Sequence, residues 1–427
     1  MNAFVFVALF VLLILLGVPI AFVIGLVSLL GIVSIPFIPN LTVFMKMFNG
    51  LNSFVLLAVP LFILAANLMN HGKISKKLMD LCIALVGNVR GGLAHANILV
   101  SMIFAGVSGS AQADTAGIGN MLIPSMTETG YDKETAVGVT AASSTIGVII
   151  PPSIPMVIFA GLTNTSVAAL FLGGMIPGIL VGLSMMLIVY LIGHRKNFPK
   201  YEKADRAELG RLFRDSLPAL LTPVIIVGGI TTGLYTPTEA AAFASLYSLF
   251  ISLFVYKTLK LKDLPRILND TLKLSSLSLF ALATASALGE LLGYYKASEA
   301  VSLFFSSHIS SPQMFMLIVI AFFLFVGTFM DAIPAMILFM PVILPTALRM
   351  GIGAVHLGVV VVMTLAVGLV TPPYGLCLLI AGSIADLSVE RSLMGVLPYI
   401  SALLIILLFV ALVPGVAFFI PSLLGMM

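Results

Sequence analysis

Long apolar stretches separated by short polar segments make up almost the whole chain. They occupy residues 3–34, 50–70, 92–108, 115–127, 136–150, 155–164, 167–193, 217–256, 272–293, 311–329, 332–348, 356–371, 376–385 and 393–423. Several of them reach the ~20 residues that an α-helix needs to cross a bilayer. A membrane β-barrel would instead show alternating segments of ~10 residues. The pattern therefore predicts an all-α polytopic membrane protein.

One polar stretch stands out inside this apolar pattern. Residues 106–115 read Gly-Val-Ser-Gly-Ser-Ala-Gln-Ala-Asp-Thr, which are mostly small or polar and include a single carboxylate, Asp114. Lipid cannot satisfy polar backbone groups, so such a segment must be buried in protein or line a watery cavity. We expect a helix to break here in order to bind a ligand.

The composition narrows the possible functions. Hydrophobic residues make up 60% of the 427 residues, charged residues only 9%, and the net charge is +4, so nucleic-acid binding is not expected. The cysteines, Cys82 and Cys377, are expected to pack in apolar surroundings rather than to pair. The histidines lack metal-ligand spacing, no nucleophile–base set is visible, and no GxxxxGK[S/T] motif occurs. We expect neither an enzyme nor a chain driven directly by ATP.

The chain repeats itself at an offset of 221 residues. Residues that fix backbone shape coincide at this offset: Gly106 with Gly327, Pro124 with Pro345, Gly147 with Gly368, Pro151 with Pro372, Pro152 with Pro373, Gly174 with Gly395, and Pro177 with Pro398. Ungapped agreement at so many glycines and prolines indicates two related halves. The charged connector 194–215 joins them.

Basic residues predict which side of the membrane each connector occupies. The most basic connectors, 194–215 and 257–266, belong in the cytoplasm by the positive-inside rule. Segment 217–256 must then cross the membrane an even number of times, and the turn residues 235–238 supply its outer bend.

The same charges orient the two halves. Segment 50–70 leads into Lys73, Lys76 and Lys77, whereas its counterpart 272–293 follows a basic connector, so equivalent helices run in opposite directions. This predicts an inverted-topology repeat. A parallel duplication, the alternative, would need the loop charges reversed.

Each half contains a predicted re-entrant helical hairpin. The hairpin 92–127 turns at residues 108–110, the first tip, and the hairpin 311–348 turns at residues 327–328, the second tip. Lipid-exposed irregular backbone does not occur in the hydrocarbon, so each tip must be covered by protein or water.

Each half also contains a transmembrane helix broken by a proline pair. Pro151-Pro152 interrupts segment 136–164, and Pro372-Pro373 interrupts segment 356–385. Proline has no N–H and therefore frees carbonyls of the preceding turn. Inside a membrane such carbonyls are tolerated where they coordinate an ion or line a cavity.

The oxygens of tips and broken helices predict two cation pockets that suit Na⁺. The first pocket combines Ser108, Gly109, Ser110, Ser143, Ser144, Thr145 and Gly147; the second combines Gly327, Thr328, Asp331, Thr364, Gly368 and Thr371. The alternative is that small hydroxylated residues merely let helices pack closely. Their placement at both repeat-related breaks favours ion coordination.

The two carboxylates past the tips, Asp114 and Asp331, are the charges that matter most, because charges inside a membrane are costly and usually functional. Either could cap the second arm of its hairpin. At the repeat offset Ser110 matches Asp331 and Asp114 matches Ala335, so the pockets should differ.

Half-helix N-termini converging at the tips would attract an anionic group, which predicts an organic acid as the substrate. The predicted substrate-binding residues are Ser110, Gln112, Asp114, Thr115, Pro151, Pro152, Pro372 and Pro373.

The stretches 107–119, 149–153 and 327–331 together resemble the large membrane subunit of TRAP transporters, the DctM family, most closely its sialic-acid-type members. The resemblance extends over essentially the whole chain. It implies a Na⁺-driven importer of organic acids in the bacterial inner membrane. It also implies two partners, a separate small membrane subunit and a periplasmic substrate-binding protein.

The resemblance further implies an elevator-type fold, in which a transport domain moves against a scaffold. Ser108, Ser110, Asp114 and Asp331 would be its functional residues. Separately from the resemblance, we expect both termini to be periplasmic. The implied division is scaffold and arm 1–91, first transport repeat 92–193, cytoplasmic linker 194–216, scaffold and arm 217–310, and second transport repeat 311–427. The rival interpretations are a stand-alone Na⁺/carboxylate symporter of a related two-hairpin fold and an ion channel.

Overall fold

A computed structural model describes residues 3–35, 37–72, 74–309 and 311–426, so Lys73, used above to orient a helix, lies outside the described residues. Twenty α-helices and no strand occur in the described ranges. Seven of the helical segments are long and apolar enough to cross a membrane. The prediction of an all-α polytopic membrane protein is confirmed.

The helices of the first half are α1 Ala3–Leu15, α2 Ile20–Val33, α3 Leu41–Leu51, α4 Ala58–His71, α5 Ile74–Val86, α6 Gly92–Ser108, α7 Ala111–Glu128, α8 Lys133–Ser144, α9 Ile154–Thr163 and α10 Val167–Arg195. Those of the second half are α11 Arg206–Thr231, α12 Pro237–Phe250, α13 Leu264–Tyr294, α14 Ala297–His308, α15 Pro312–Gly327, α16 Ala332–Arg349, α17 Ala354–Gly368, α18 Leu376–Ala385, α19 Val389–Leu412 and α20 Gly415–Leu423.

The helix boundaries follow the sequence repeat. Helices α7 and α16 begin and end at positions 221 residues apart, and α6, α8, α9 and α10 have counterparts in α15, α17, α18 and α19. The helices also pack in exchanged pairs: α7 contacts α18 while α16 contacts α9, and α4 contacts α12 while α13 contacts α2. Such exchanged pairs arise when two halves are related by an approximate two-fold axis.

Helix α19 shows how the halves are oriented, because its 24 residues span about 36 Å. Glu134 at the start of α8 pairs with Arg391 at the start of α19. His356, near the start of α17, has its ring Nε2 2.9 Å from the carbonyl oxygen of Val410, near the end of α19. The equivalent helices α8 and α17 therefore start from opposite ends of α19. The inverted-topology repeat is confirmed.

The predicted hairpins and broken helices occur where the sequence placed them. Hairpin α6–α7 turns after Ser108 and hairpin α15–α16 turns after Gly327. Helix α8 continues as a short 3-10 turn to Val148, and α9 begins at Ile154 beyond the proline pair. The Pro151–Pro152 and Pro372–Pro373 peptide bonds are both cis. One apolar core runs through the helices of both repeats.

Amphipathic helices are what the sequence prediction missed. Helices α3, α5 and α14 were not predicted, and α11 begins at Arg206, inside the predicted linker 194–216. Helix α5 buries Ile74 and Leu78 while Lys76 is exposed, so its apolar residues form a stripe rather than a continuous run. A search for long apolar runs does not detect such helices.

Candidate ion and substrate site

The first tip is a tight turn between α6 and α7. Gly109 has φ = 62°, in the left-handed region that favours glycine. Ser110 is the N-cap of α7, where its Oγ accepts a hydrogen bond from the Ala113 backbone N–H at 3.4 Å. The tip thus reverses the chain in three residues and presents the N-terminus of α7.

The first tip rests on the first break, the segment 145–153 between α8 and α9. The Gly109 carbonyl accepts a hydrogen bond from the Ile154 N–H at 3.3 Å. A Cβ on Gly109 would lie 2.8 Å from the carbonyl oxygen of Pro152. Backbone therefore meets backbone here, without room for a side chain.

The second tip meets the second break, residues 369–375, in a similar way. The Thr328 carbonyl accepts a hydrogen bond from the Tyr374 N–H at 2.9 Å. A Cβ on Gly368 would lie 2.6 Å from the Gly327 carbonyl oxygen, so the two repeat-related glycines allow α15 to touch α17. Both halves therefore join a hairpin tip to a broken helix, as the sequence predicted.

The proline pairs free different carbonyls in the two halves. Pro151 and Pro152 have no N–H to offer the carbonyls of Gly147 and Val148, four residues earlier. The Val148 carbonyl accepts a hydrogen bond from Ser153 Oγ at 2.6 Å, which leaves Gly147 without a donor from the following turn. In the second half Gly368 and Leu369 carbonyls accept from the backbone N–H groups of Thr371 and Cys377. Of these four carbonyl oxygens, the one left without a hydrogen-bond donor among the described residues is that of Gly147, at the first break.

Asp114 lies against that break. Its side chain is fully buried, and neither carboxylate oxygen has a hydrogen-bond partner among the described residues. The Ser108 hydroxyl lies near the carboxylate but is not in hydrogen-bond geometry with it. A Cβ on Gly147 would collide with Asp114 Oδ2. The carboxylate thus faces a backbone position that only glycine leaves open.

Asp331 has a different environment. It is the N-cap of α16, accepting a hydrogen bond from the Ala332 N–H at 2.8 Å. It also accepts one from Gln112 Nε2 at 3.2 Å, and it is only partly buried. The capping prediction is confirmed for Asp331, whereas Ser110 rather than Asp114 caps α7. The surroundings of Asp114 and Asp331 therefore differ, and the two cation pockets stay a prediction.

Most of the predicted hydroxyl ligands donate their protons to their own helices. Ser144, Thr145, Thr364 and Thr371 donate to carbonyls three or four residues earlier, as does Thr115. Thr328 does the same towards Phe325. These bonds leave oxygen lone pairs available but do not orient the hydroxyls toward a common centre. The close-packing alternative therefore still applies to this group.

A buried polar network between α6 and α8 was not predicted. Asn97 Nδ2 donates to Thr140 Oγ1 at 2.6 Å, and Ser101 Oγ donates to Ser143 Oγ at 2.9 Å. Asn97 and Ser101 are one helical turn apart, as are Thr140 and Ser143, so facing polar stripes were the available signal. Ser143 belongs to this network rather than to the first tip.

The four prolines differ in exposure. Pro151 and Pro152 are buried, Pro372 is partly buried, and Pro373 is exposed. A substrate could therefore reach the prolines of the second break more easily than those of the first. No group of three His, Cys, Asp or Glu side chains lies together in the described part of the chain, so a cation would rely on hydroxyl, carbonyl and single-carboxylate oxygens.

The family model for the tripartite ATP-independent periplasmic transporter, DctM component, matches residues 6–416. The chain belongs to this family. The sialic acid TRAP transporter large permease protein SiaM of Vibrio cholerae is 37% identical over 378 residues, covering 88% of each chain. The C4-dicarboxylate TRAP transporter large permease protein DctM of Pseudomonas aeruginosa is 36% identical over 381 residues, covering 89% of each. This DctM-family chain is a TRAP transporter large permease subunit.

A structural comparison agrees on the fold. The crystal structure of the Alcanivorax borkumensis YdaH transporter, described as revealing an unusual topology, matches with a TM-score of 0.60 at 13% identity. The match covers 87% of this chain and 88% of the other. At that identity the likeness concerns the fold alone.

Proposed function

We propose that this DctM-family subunit imports an organic acid across the bacterial inner membrane by coupling to Na⁺. Its partners are a separate small membrane subunit and a periplasmic substrate-binding protein, and the two transport repeats move against the scaffold as an elevator. Sialic acid is the first candidate substrate, and a C4-dicarboxylate or sugar acid is the next. The names of the relatives support this range of substrates.

The proposed coupling to Na⁺ rests on the buried carboxylate of Asp114. A buried carboxylate without a hydrogen-bond donor is strongly unfavourable unless a positive charge compensates it. The Gly147 carbonyl at the first break has no donor from the following turn, since Ser153 Oγ serves Val148 instead, and the C-terminal end of α6 adds partial negative charge. Unwound carbonyls and half-helix C-termini coordinate Na⁺ in other secondary transporters. We therefore assign Asp114 to the first cation pocket, with Ser108 as a neighbouring ligand.

The substrate would lie between the two tips. The N-termini of α7 and α16 meet there, since Gln112 in the first turn of α7 bonds the N-cap of α16. Two helix N-termini favour a carboxylate through their free N–H groups and dipoles. Ser110, Gln112 and Thr115 would contact its polar edges.

Reconstituted uptake tests the coupling. The Asp114→Asn variant, assembled with its partners in liposomes, should need at least about tenfold more Na⁺ for half-maximal uptake, because one unit charge leaves the pocket. Glu128→Gln is the matched control, since Glu128 is exposed at the other end of the same helix. It should behave as the wild type does.

Two results would contradict the proposal. One is an Asp114→Asn variant with wild-type Na⁺ dependence; the other is wild-type uptake that follows a proton gradient instead, which would mean that Asp114 is neutralised by a proton. Robust uptake by this chain without partners would favour the stand-alone symporter. A single-channel current would favour the channel.

A further inference from the structure

One hydrogen bond joins the two hairpin tips across the repeat. Gln112 Nε2 donates to Asp331 Oδ1 at 3.2 Å, although the residues are 219 positions apart. Among the side-chain hydrogen bonds of the described residues, no other joins α7 to the start of α16. The two groups are also of opposite type, because the amide can donate and an ionised carboxylate can only accept.

Gln112 and Asp331 are each tied to their own tip. Ser110 Oγ donates to Gln112 Oε1 at 3.2 Å, and the Ser110 N–H donates to Ser108 Oγ at 3.4 Å. At the other end, Asp331 Oδ1 accepts from the Ala332 N–H at 2.8 Å, which fixes the first residue of α16. A continuous hydrogen-bonded path therefore runs from Ser108 to the N-terminus of α16.

We propose that the Gln112–Asp331 bond is a latch that makes the two cation pockets cooperative. This latch proposal rests on the proposed function, because it assumes one cation pocket at each tip. An ion that orders Ser108 and Ser110 also fixes Gln112, and Gln112 then fixes the carboxylate of Asp331. The residues of the second pocket are then already ordered when the second ion binds. Its binding therefore costs less conformational entropy.

The latch also predicts a reciprocal effect. If an ion at the first tip raises affinity at the second, an ion at the second must raise affinity at the first by the same factor. Gln112 is thus a positioning residue that acts through Asp331 and Ser110. It need not contact either ion.

The Na⁺ dependence of uptake by the complete reconstituted transporter tests the latch. In Gln112→Leu, which has no donor, the Hill coefficient for Na⁺ should fall from above 1 to about 1. Uptake is measured at saturating substrate, because Gln112 is also a proposed substrate contact and its loss should raise the KM for the substrate. The control is Asn120→Leu, two turns along the same helix, whose exposed amide donates to the Ala116 carbonyl of its own helix and to no other group of the described residues.

An exchange of the two groups supplies the rescue. Gln112→Glu places two carboxylates against each other and should also abolish cooperativity. Adding Asp331→Asn restores one donor and one acceptor with unchanged side-chain lengths and moves the carboxylate to position 112. The double variant should therefore regain a Hill coefficient above 1, although its Na⁺ affinity should fall because Asp331 is a predicted ligand of the second cation pocket. A purely structural role would not predict that recovery.

The outcomes separate this inference from the proposed function. Uptake by the wild type that ignores Na⁺ would overturn both. A wild type that depends on Na⁺ with a Hill coefficient of 1, unchanged cooperativity in Gln112→Leu, or an equal loss in Asn120→Leu would overturn the latch alone.

Discussion

A single glycine, Gly147, leaves room for the Asp114 carboxylate. Because a Cβ on Gly147 would collide with Asp114 Oδ2, no other residue can sit opposite the carboxylate without displacing it. The repeat mate Gly368 has another task, since it lets α17 approach the backbone at Gly327. The same glycine is therefore present in both halves but has a different role in each.

Gly147→Ala should lower Na⁺ affinity by at least about tenfold, because the methyl group displaces the carboxylate from its place in the pocket. The measurement is the Na⁺ concentration for half-maximal uptake. Gly228→Ala in α11 serves as the control, since a Cβ there meets no atom within 4 Å. Unchanged Na⁺ affinity in Gly147→Ala would remove this contact from the pocket.

The sequence located the carboxylates but not their tasks. Inverted symmetry and the tips pointed to Asp114 and Asp331, yet capping depends on the residue at which a helix begins. Helix α7 begins one residue after Ser110, so the serine takes the cap and Asp114 lies one turn inside. Helix starts are fixed by tertiary contacts of the tip, such as the Gly109–Ile154 bond, which a pattern of residue types does not reveal.

At the scale of helices, glycine and proline were the most informative signals. They fix where a membrane helix can turn or break, and both hairpins and both broken helices began and ended close to the predicted positions. Amphipathic helices gave no comparable signal, because their apolar residues are spread over one face. Prediction from apolar runs therefore succeeds for segments in hydrocarbon and fails for helices such as α5.

The start of α8 is held by Asp132. Its Oδ2 accepts from the Thr135 N–H at 3.0 Å, and its Oδ1 pairs with Lys196 Nζ at 2.9 Å. Burial acts to raise the pKa of Asp132, but the hydrogen bonds from Thr135 and Lys196 outweigh it and keep the pKa below its ordinary value. The pair ties the end of α10 to the first turn of α8.

Asp132→Asn should keep the cap but lose the ion pair, with a cost up to about 1 kcal/mol because both side chains are partly exposed. A lowered folded-state pKa means that the stabilisation is complete above the unfolded-state pKa and disappears as pH falls through the folded-state pKa. The difference in melting temperature between wild type and variant should therefore be constant near neutral pH and shrink in acid. A difference that grew in acid would contradict this assignment.

At the scale of the whole molecule, three glycines of the proposed transport repeats touch the proposed scaffold. A Cβ on Gly106 would lie 2.6 Å from Pro223 Cβ, one on Gly117 would lie 3.2 Å from Asn70 Oδ1, and one on Gly161 would lie 3.0 Å from Leu56 Cδ2. Contacts without side chains on one partner offer few interlocking ridges. At these points the helices approach each other closely because one partner has no side chain.

A crosslink across this surface tests the elevator. In Leu56→Cys with Gly161→Cys, a sulfur near the present Leu56 Cγ would lie about 3.6 Å from the new Cβ, close enough for a disulfide after small adjustment. Oxidation should stop uptake and a reductant should restore it. The native Cys82 and Cys377 are buried, which limits competing reactions. Each single variant should be insensitive to oxidant, and full uptake by the oxidised pair would exclude a relative movement at this point.

The opposite directions of α8 and α17 along α19 have an energetic consequence. If the two halves exchanged their conformations, the molecule seen from one face of the membrane would look like the original seen from the other face. Perfectly identical halves would make these two states equal in free energy. The presence of Asp331 where the first half has Ser110 is one of the differences that remove this equality, so we expect the resting molecule to prefer one face of the membrane.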